Sequence, residues 1–108
     1  MKYALLAYNG PATEQRGAIR SEIAEALARP SVTSWVRLQP AESATTLSSP
    51  GGKTLLTDGP FVDSKEYLGG LIIVEAANLD EALAVAAELQ VLMSSGGAIE
   101  VRPILEEG

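Results

Sequence analysis

From Tyr3 to Tyr8 the chain is apolar or aromatic without a break, and the run stops at Asn9-Gly10-Pro11, a turn signal. Residues 2–8 are therefore predicted as a strand with apolar side chains on both faces. From Thr13 the period changes. Ile19, Ile23, Ala26 and Leu27 fall on one stripe of a helix, while Glu14, Arg16, Arg20, Glu22 and Glu25 fall mostly elsewhere. Thr13 is the expected N-cap, and Pro30 stops the helix. Residues 31–38 (Ser-Val-Thr-Ser-Trp-Val-Arg-Leu) are rich in β-branched and aromatic types and read as a second strand.

Residues 44–47 and 53–57 flank Ser48-Ser49-Pro50-Gly51-Gly52, the pattern of a hairpin. Residues 67–75, with Leu71-Ile72-Ile73-Val74 at their centre, form another strand that is apolar on both faces. Asn78 followed by Glu81 predicts a capping box for a second helix, with Asp80 adding favourable charge in its first turn. The buried stripe expected there is Leu79, Ala82, Leu83, Ala86 and Leu89 or Gln90. Gly96-Gly97 ends the region. Residues 98–105 form the last strand, where Pro103 suits an edge position.

The resulting order is β-α-β, a hairpin, then β-α-β. One domain over residues 1–108 is expected, an α+β fold of the ferredoxin-like split β-α-β type with an antiparallel sheet and an inserted hairpin. Right-handed crossovers would place both helices on one face of the sheet. The other face would then have no cover, although the two central strands are apolar on both sides. An apolar sheet face of several hundred Å² is unusual on a soluble monomer. Two copies are therefore expected to pack sheet against sheet as a homodimer, forming a dimeric α+β barrel.

Composition narrows the chemistry. The 108 residues are 46% hydrophobic, with fourteen acidic against eight basic residues for a formal charge of −6. Cysteine and histidine are absent. That excludes disulfides, thiolate metal sites, thiol nucleophiles and every mechanism built on imidazole. The acidic balance disfavours nucleic acid, whose backbone rewards clustered Lys and Arg. No stretch approaches the roughly 20 apolar residues of a membrane span, and the first run is too short for a signal peptide. A cytoplasmic protein is expected, with no membrane partner, no metal and no cofactor.

Pro50-Gly51-Gly52-Lys53-Thr54 ends like a phosphate-binding loop, but Leu47 stands where that pattern needs its first glycine. The stretch from Asp58 to Gly70 holds more. On a functional reading, Asp58 is a carboxylate at the mouth of an inter-sheet cavity, Phe61 and Tyr67 are its apolar wall, and Lys65 is a cation for an anionic ligand. Arg37 and Arg102, in the second and last core strands, are further candidates as anion ligands in that cavity, the alternative being that both are solvated edge charges. On a structural reading, Asp58 caps a turn, Gly59 takes positive φ, Pro60 fixes the next φ, and Phe61 plugs the core. Gly69-Gly70 would then mark a bulge. Trp35 is expected to pack in the core or at the dimer interface.

Asp58-Gly59-Pro60-Phe61, with Val62-Asp63-Ser64-Lys65-Glu66 and Leu68-Gly69-Gly70, resembles the DGPF signature of the YCII-related family. Met1-Lys2-Tyr3, Leu38-Gln39-Pro40 with Ala44-Thr45-Thr46, Leu79-Asp80-Glu81-Ala82-Leu83 and Glu100-Val101-Arg102-Pro103-Ile104 fit the same pattern. The resemblance covers nearly the whole chain and implies a ferredoxin-like subunit in a dimeric α+β barrel. Many members of the wider family carry a His in the first helix and an Asp after the second. This chain has neither, so those acid–base roles are not transferred to it. Two functions follow as expectations. One is binding of a small, anionic molecule in the inter-sheet cavity, with weak or no acid–base catalysis and Asp58 as the best catalytic candidate. The alternative is a protein-interaction module, for example an accessory to an extracytoplasmic-function sigma factor.

Overall fold

A computed structural model describes residues 1–9, 19–62, 66–93 and 97–108. Strand β1 (Lys2–Asn9) is followed by helix α1 (Ser21–Leu27) and strand β2 (Val32–Arg37). The hairpin of β3 (Thr45–Ser48) and β4 (Leu55–Asp58) comes next. Strand β5 (Tyr67–Glu75), helix α2 (Leu79–Leu92) and strand β6 (Ala98–Pro103) complete the chain. The main sheet has the order β2-β5-β1-β6, and every neighbouring pair is antiparallel. This is the ferredoxin-like order. The two strands with apolar residues on both faces, β1 and β5, are central, and the Pro103 strand lies at an edge.

Both helices cover the same face. Ala26 and Leu27 of α1 and Ala82, Ala86 and Leu89 of α2 share one buried cluster with Tyr3, Leu5, Ile72 and Val74. Leu5 and Val74 are the largest fully buried side chains. At about 25 cal/mol per Å² of apolar surface, fully burying each of these two is worth about 1.5–3 kcal/mol. Two cations tie the helices together at the surface. The Arg20 guanidinium donates to the Leu92 carbonyl at the C-terminal end of α2, where backbone carbonyls lack helical partners, and Arg29 pairs with Glu88.

Three local expectations need correction. A helix from residue 13 would include Ile19 and Arg20, yet Arg20 is extended and α1 begins at Ser21. Ile19 still packs against the core from this extended segment, which is why its spacing imitates a helical stripe. The Thr13 cap and the Gly10-Pro11 turn lie outside the described residues. In α2, Leu79 and Leu83 are exposed, while Val85 and Leu92 supply the flank that packs toward the core. The stripe is rotated toward α1, the only other helix on that face among the described residues. Of the two places expected for Trp35 the core is excluded: it is 41% exposed in the single chain on the edge strand β2, because α1 is only seven residues, or about 10 Å, long and cannot cover it.

The expected capping box is present with a variation. Asn78 Oδ1 accepts from the Glu81 N–H at 3.0 Å, and Glu81 Oε2 accepts from the N–H of Ala77 at 2.7 Å. Asn78→Ala should therefore destabilise the chain by about 1 kcal/mol in denaturant titration. A change near zero would show that Glu81 alone secures this terminus.

Candidate functional site

Two bulges decide which side chains reach the uncovered face. On β1, Tyr3 and Leu5 belong to the helix side, so Ala4, Leu6 and Tyr8 take the opposite side. The register then adds Leu71 and Ile73 from β5, opposite Leu6 and Ala4. It adds Ser34 and Val36 from β2 and Glu100 and Arg102 from β6. In β2 the pairing slips by one residue between Val32 and Ser34. After that slip Arg37 stands opposite Gly70, on the parity of Trp35 and Ile72, which is the helix side. In the β1–β5 ladder, Ala7 pairs with Gly70 but Tyr8 pairs with Leu68, leaving Gly69 as the extra residue. Beyond it Tyr67 pairs with Asn9 on the helix-side parity, and Leu68 takes the open side.

Each bulge flips one predicted residue. Arg37 and Tyr67 share the sheet end where the Leu38 N–H donates to the Gly69 carbonyl at 2.8 Å, but neither belongs to the open face. The Gly69-Gly70 bulge is legible in the sequence; its effect on Tyr67 is not. Arg102 does reach the open face, with Glu100 two residues away on the same side. Their side chains are paired, Arg102 Nε donating to Glu100 Oε2 at 2.8 Å. Tyr8 and the Glu100–Arg102 pair thus supply polar groups within a largely apolar surface. From the sequence only Arg102 of this pair stands out; the two-residue spacing of Glu100 and Arg102 on a strand is the signal that pairs them, whereas the face of Tyr8 depends on the parity of β1.

Asp58 and Phe61 belong to the hairpin. Asp58 ends β4 opposite Thr45 and is exposed. The corner after it is clamped: the Gly59 N–H donates to the Ala44 carbonyl, and Thr46 Oγ1 donates to the Gly59 carbonyl, both at 2.7 Å. Gly59 has φ +98°, the left-handed value the turn was expected to require. Phe61 does not plug the core. It is 79% exposed in the single chain, because it follows the hairpin rather than a strand of the main sheet. Asp63 and Lys65 lie outside the described residues. The Gly52-Lys53-Thr54 sequence leads into strand β4, not into the helix a phosphate loop requires. Among the described residues no cluster of acidic side chains is placed to hold a metal ion, and no helix is long and apolar enough to cross a membrane.

The family model described as YCII-related domain matches residues 1–107. The chain belongs to the YCII-related family. A relative from Rhizobium meliloti (strain 1021), named "Uncharacterized protein R00369", is 44% identical over 68 residues. That alignment covers 63% of this chain and 55% of the relative, so the chain matches little more than half of that protein's length. In this YCII-related chain, the polar groups that the described sheet strands place on the open face are therefore Tyr8, Ser34, Glu100 and Arg102. The Asp58 turn is held apart on its own two-stranded ribbon.

Proposed function

We propose that this YCII-related chain, of the DGPF type by its Asp58-Gly59-Pro60-Phe61 stretch, works as a homodimer of facing sheets. The space between them holds a small molecule with a polar or anionic group. The observation that carries the reading is the uncovered side of β1 and β5, where Leu6, Leu71 and Ile73 stand beside Tyr8 with no element of the same chain's described residues over them. Two whole-chain quantities support it. The accessible surface is 7375 Å², against about 5,700 Å² for a compact monomer of 11.3 kDa. The radius of gyration is 15.4 Å, against about 13 Å for a compact chain of this length.

A small-molecule site needs an apolar lining with a few polar groups that fix orientation. On this reading Tyr8 and Arg102 donate to the ligand, and Glu100 holds the guanidinium in place. The reading is one of binding, because the acid–base groups at hand are a tyrosine and carboxylates, and Asp58 is exposed on the hairpin.

Sedimentation equilibrium at micromolar concentration should give twice the 11.3 kDa chain mass. The dye 1-anilinonaphthalene sulfonate, apolar with one anionic group, should bind that dimer saturably at a fixed stoichiometry. Arg102→Ala should weaken the binding by roughly tenfold, the equivalent of one charge-assisted hydrogen bond. A dimer that takes up no dye would mean the inter-sheet space is filled by side chains, and the ligand reading would be abandoned.

A further inference from the structure

The hairpin leaves an unusual amount of apolar surface in water. Leu47 and Leu56 stand directly opposite each other across β3 and β4, so they project from one face of the ribbon. They are 67% and 70% exposed, and Leu55, Phe61 and Val62 are all more than half exposed. The opposite ribbon face carries Thr46 and Ser48, both partly buried, together with Leu55 and Thr57, both exposed. Leu47, Leu56, Phe61 and Val62 expose on the order of 500 Å² between them, a large apolar area for a single chain, while Leu55 projects from the other ribbon face. An isolated two-stranded hairpin is also only marginally stable in water. Here its corner is pinned by the two hydrogen bonds at Gly59, so the leucine pair is presented by a braced unit.

We infer that the β3–β4 hairpin is an arm that docks on the second copy of the chain, delivering Asp58 and Phe61 to the dimer. The inference rests on the facing-sheet dimer proposed above and adds to it where the hairpin goes. Three observations select a second copy as the occupant. The arm leaves β2 just after Val36 and Leu38, both exposed, and returns into β5 just before Leu68, also exposed. Val36 and Leu68 belong to the open sheet face, so an apolar side chain of that face stands at each root of the arm. The apolar area that the arm alone exposes, on the order of 500 Å², is a large part of the roughly 800 Å² each partner buries in a standard interface. In a twofold assembly the same arm meets the same surface twice, so one patch satisfies both subunits.

A chemical consequence follows from register. Thr45 pairs with Asp58 two residues from the Leu47–Leu56 pair, so the Asp58 carboxylate lies on the ribbon face that docks. The Asp58 turn then enters the inter-subunit space from the partner, while Tyr8 and Arg102 belong to the chain it lands on. The polar groups of the proposed site are complete only when two copies meet.

The chain has no cysteine, so one introduced thiol reports cleanly. Leu56→Cys and, as a control, Val91→Cys on the outer face of α2 would each be alkylated with iodoacetamide and followed by mass spectrometry. Leu56 and Val91 are 70% and 83% exposed in the single chain, so without docking the two rates should agree within about a factor of two. Docking in trans should make the Leu56→Cys thiol at least about tenfold slower, because it reacts only when the arm lifts. Equal rates overturn the inference. The Leu71→Lys background separates it from the sheet-face reading. If that background is monomeric and the protection disappears, both hold. If it remains dimeric with the thiol still protected, arm docking holds and the facing-sheet arrangement falls.

Discussion

Replacing Gly97 with alanine should lower the stability of this chain by about 3 kcal/mol or more, a drop in melting temperature of more than about 10 °C for a domain of this size. A Cβ at Gly97 would overlap the carbonyl oxygen of Tyr8 and lie 3.0 Å from the terminal methyl carbon of Met93. The methionine can swing aside, whereas the Tyr8 carbonyl belongs to a central strand held on both sides by β5 and β6. Something in the backbone must move, and the cheapest movement opens the corner where α2 hands over to β6. The same corner is secured by Gln90 Nε2, which donates to the Gly97 carbonyl at 2.7 Å. Thermal unfolding followed by circular dichroism measures the effect. A shift of only a degree or two would show that the corner is looser than its spacing implies.

Leu71→Lys should convert the proposed facing-sheet dimer into a monomer, raising its dissociation constant by at least about a thousandfold. Leu71 lies on β5 between Leu6 of β1 and Val36 of β2, the middle of the uncovered face. In a twofold interface the substitution acts from both subunits. Each loses about 2 kcal/mol of apolar burial and must also desolvate an ammonium group, so about 4 kcal/mol is a lower bound. The side chain is outside the helix-side cluster of Leu5, Ile72 and Val74, so the monomer should keep its secondary structure. Sedimentation velocity over a concentration series, with a circular dichroism spectrum, checks both parts. An unchanged dimer would move the interface elsewhere.

The sheet order was legible because burial on two faces leaves a plain mark. Residues 3–8 and 71–74 lack the alternation of half-buried strands, and they became β1 and β5 at the centre. The α2 terminus was legible for a similarly local reason, since Asn78 and Glu81 lie three residues apart and need no distant partner. Face assignment near the sheet end was not legible. A single extra residue reverses every side chain beyond it. The slip after Val32 put Arg37 on the helix side, and the extra Gly69 did the same to Tyr67. The exposure of Phe61 was equally hidden, because an aromatic in a turn reads the same whether its own core or another chain receives it.

The placement of β1 also governs how the chain can be made. Its two hydrogen-bonding edges are filled by β5 and β6, so its last partner strand ends at Pro103. During synthesis the Tyr3–Tyr8 segment has no complete sheet to join until β6, about 95 residues further on, has been translated. At about 5–20 residues per second that wait is on the order of 5–20 s. Over this interval the most apolar strand-forming segment of the amino-terminal half is open to pairing with other nascent chains. Production of this protein should therefore be limited by the fate of unfinished chains more than by the stability of finished ones.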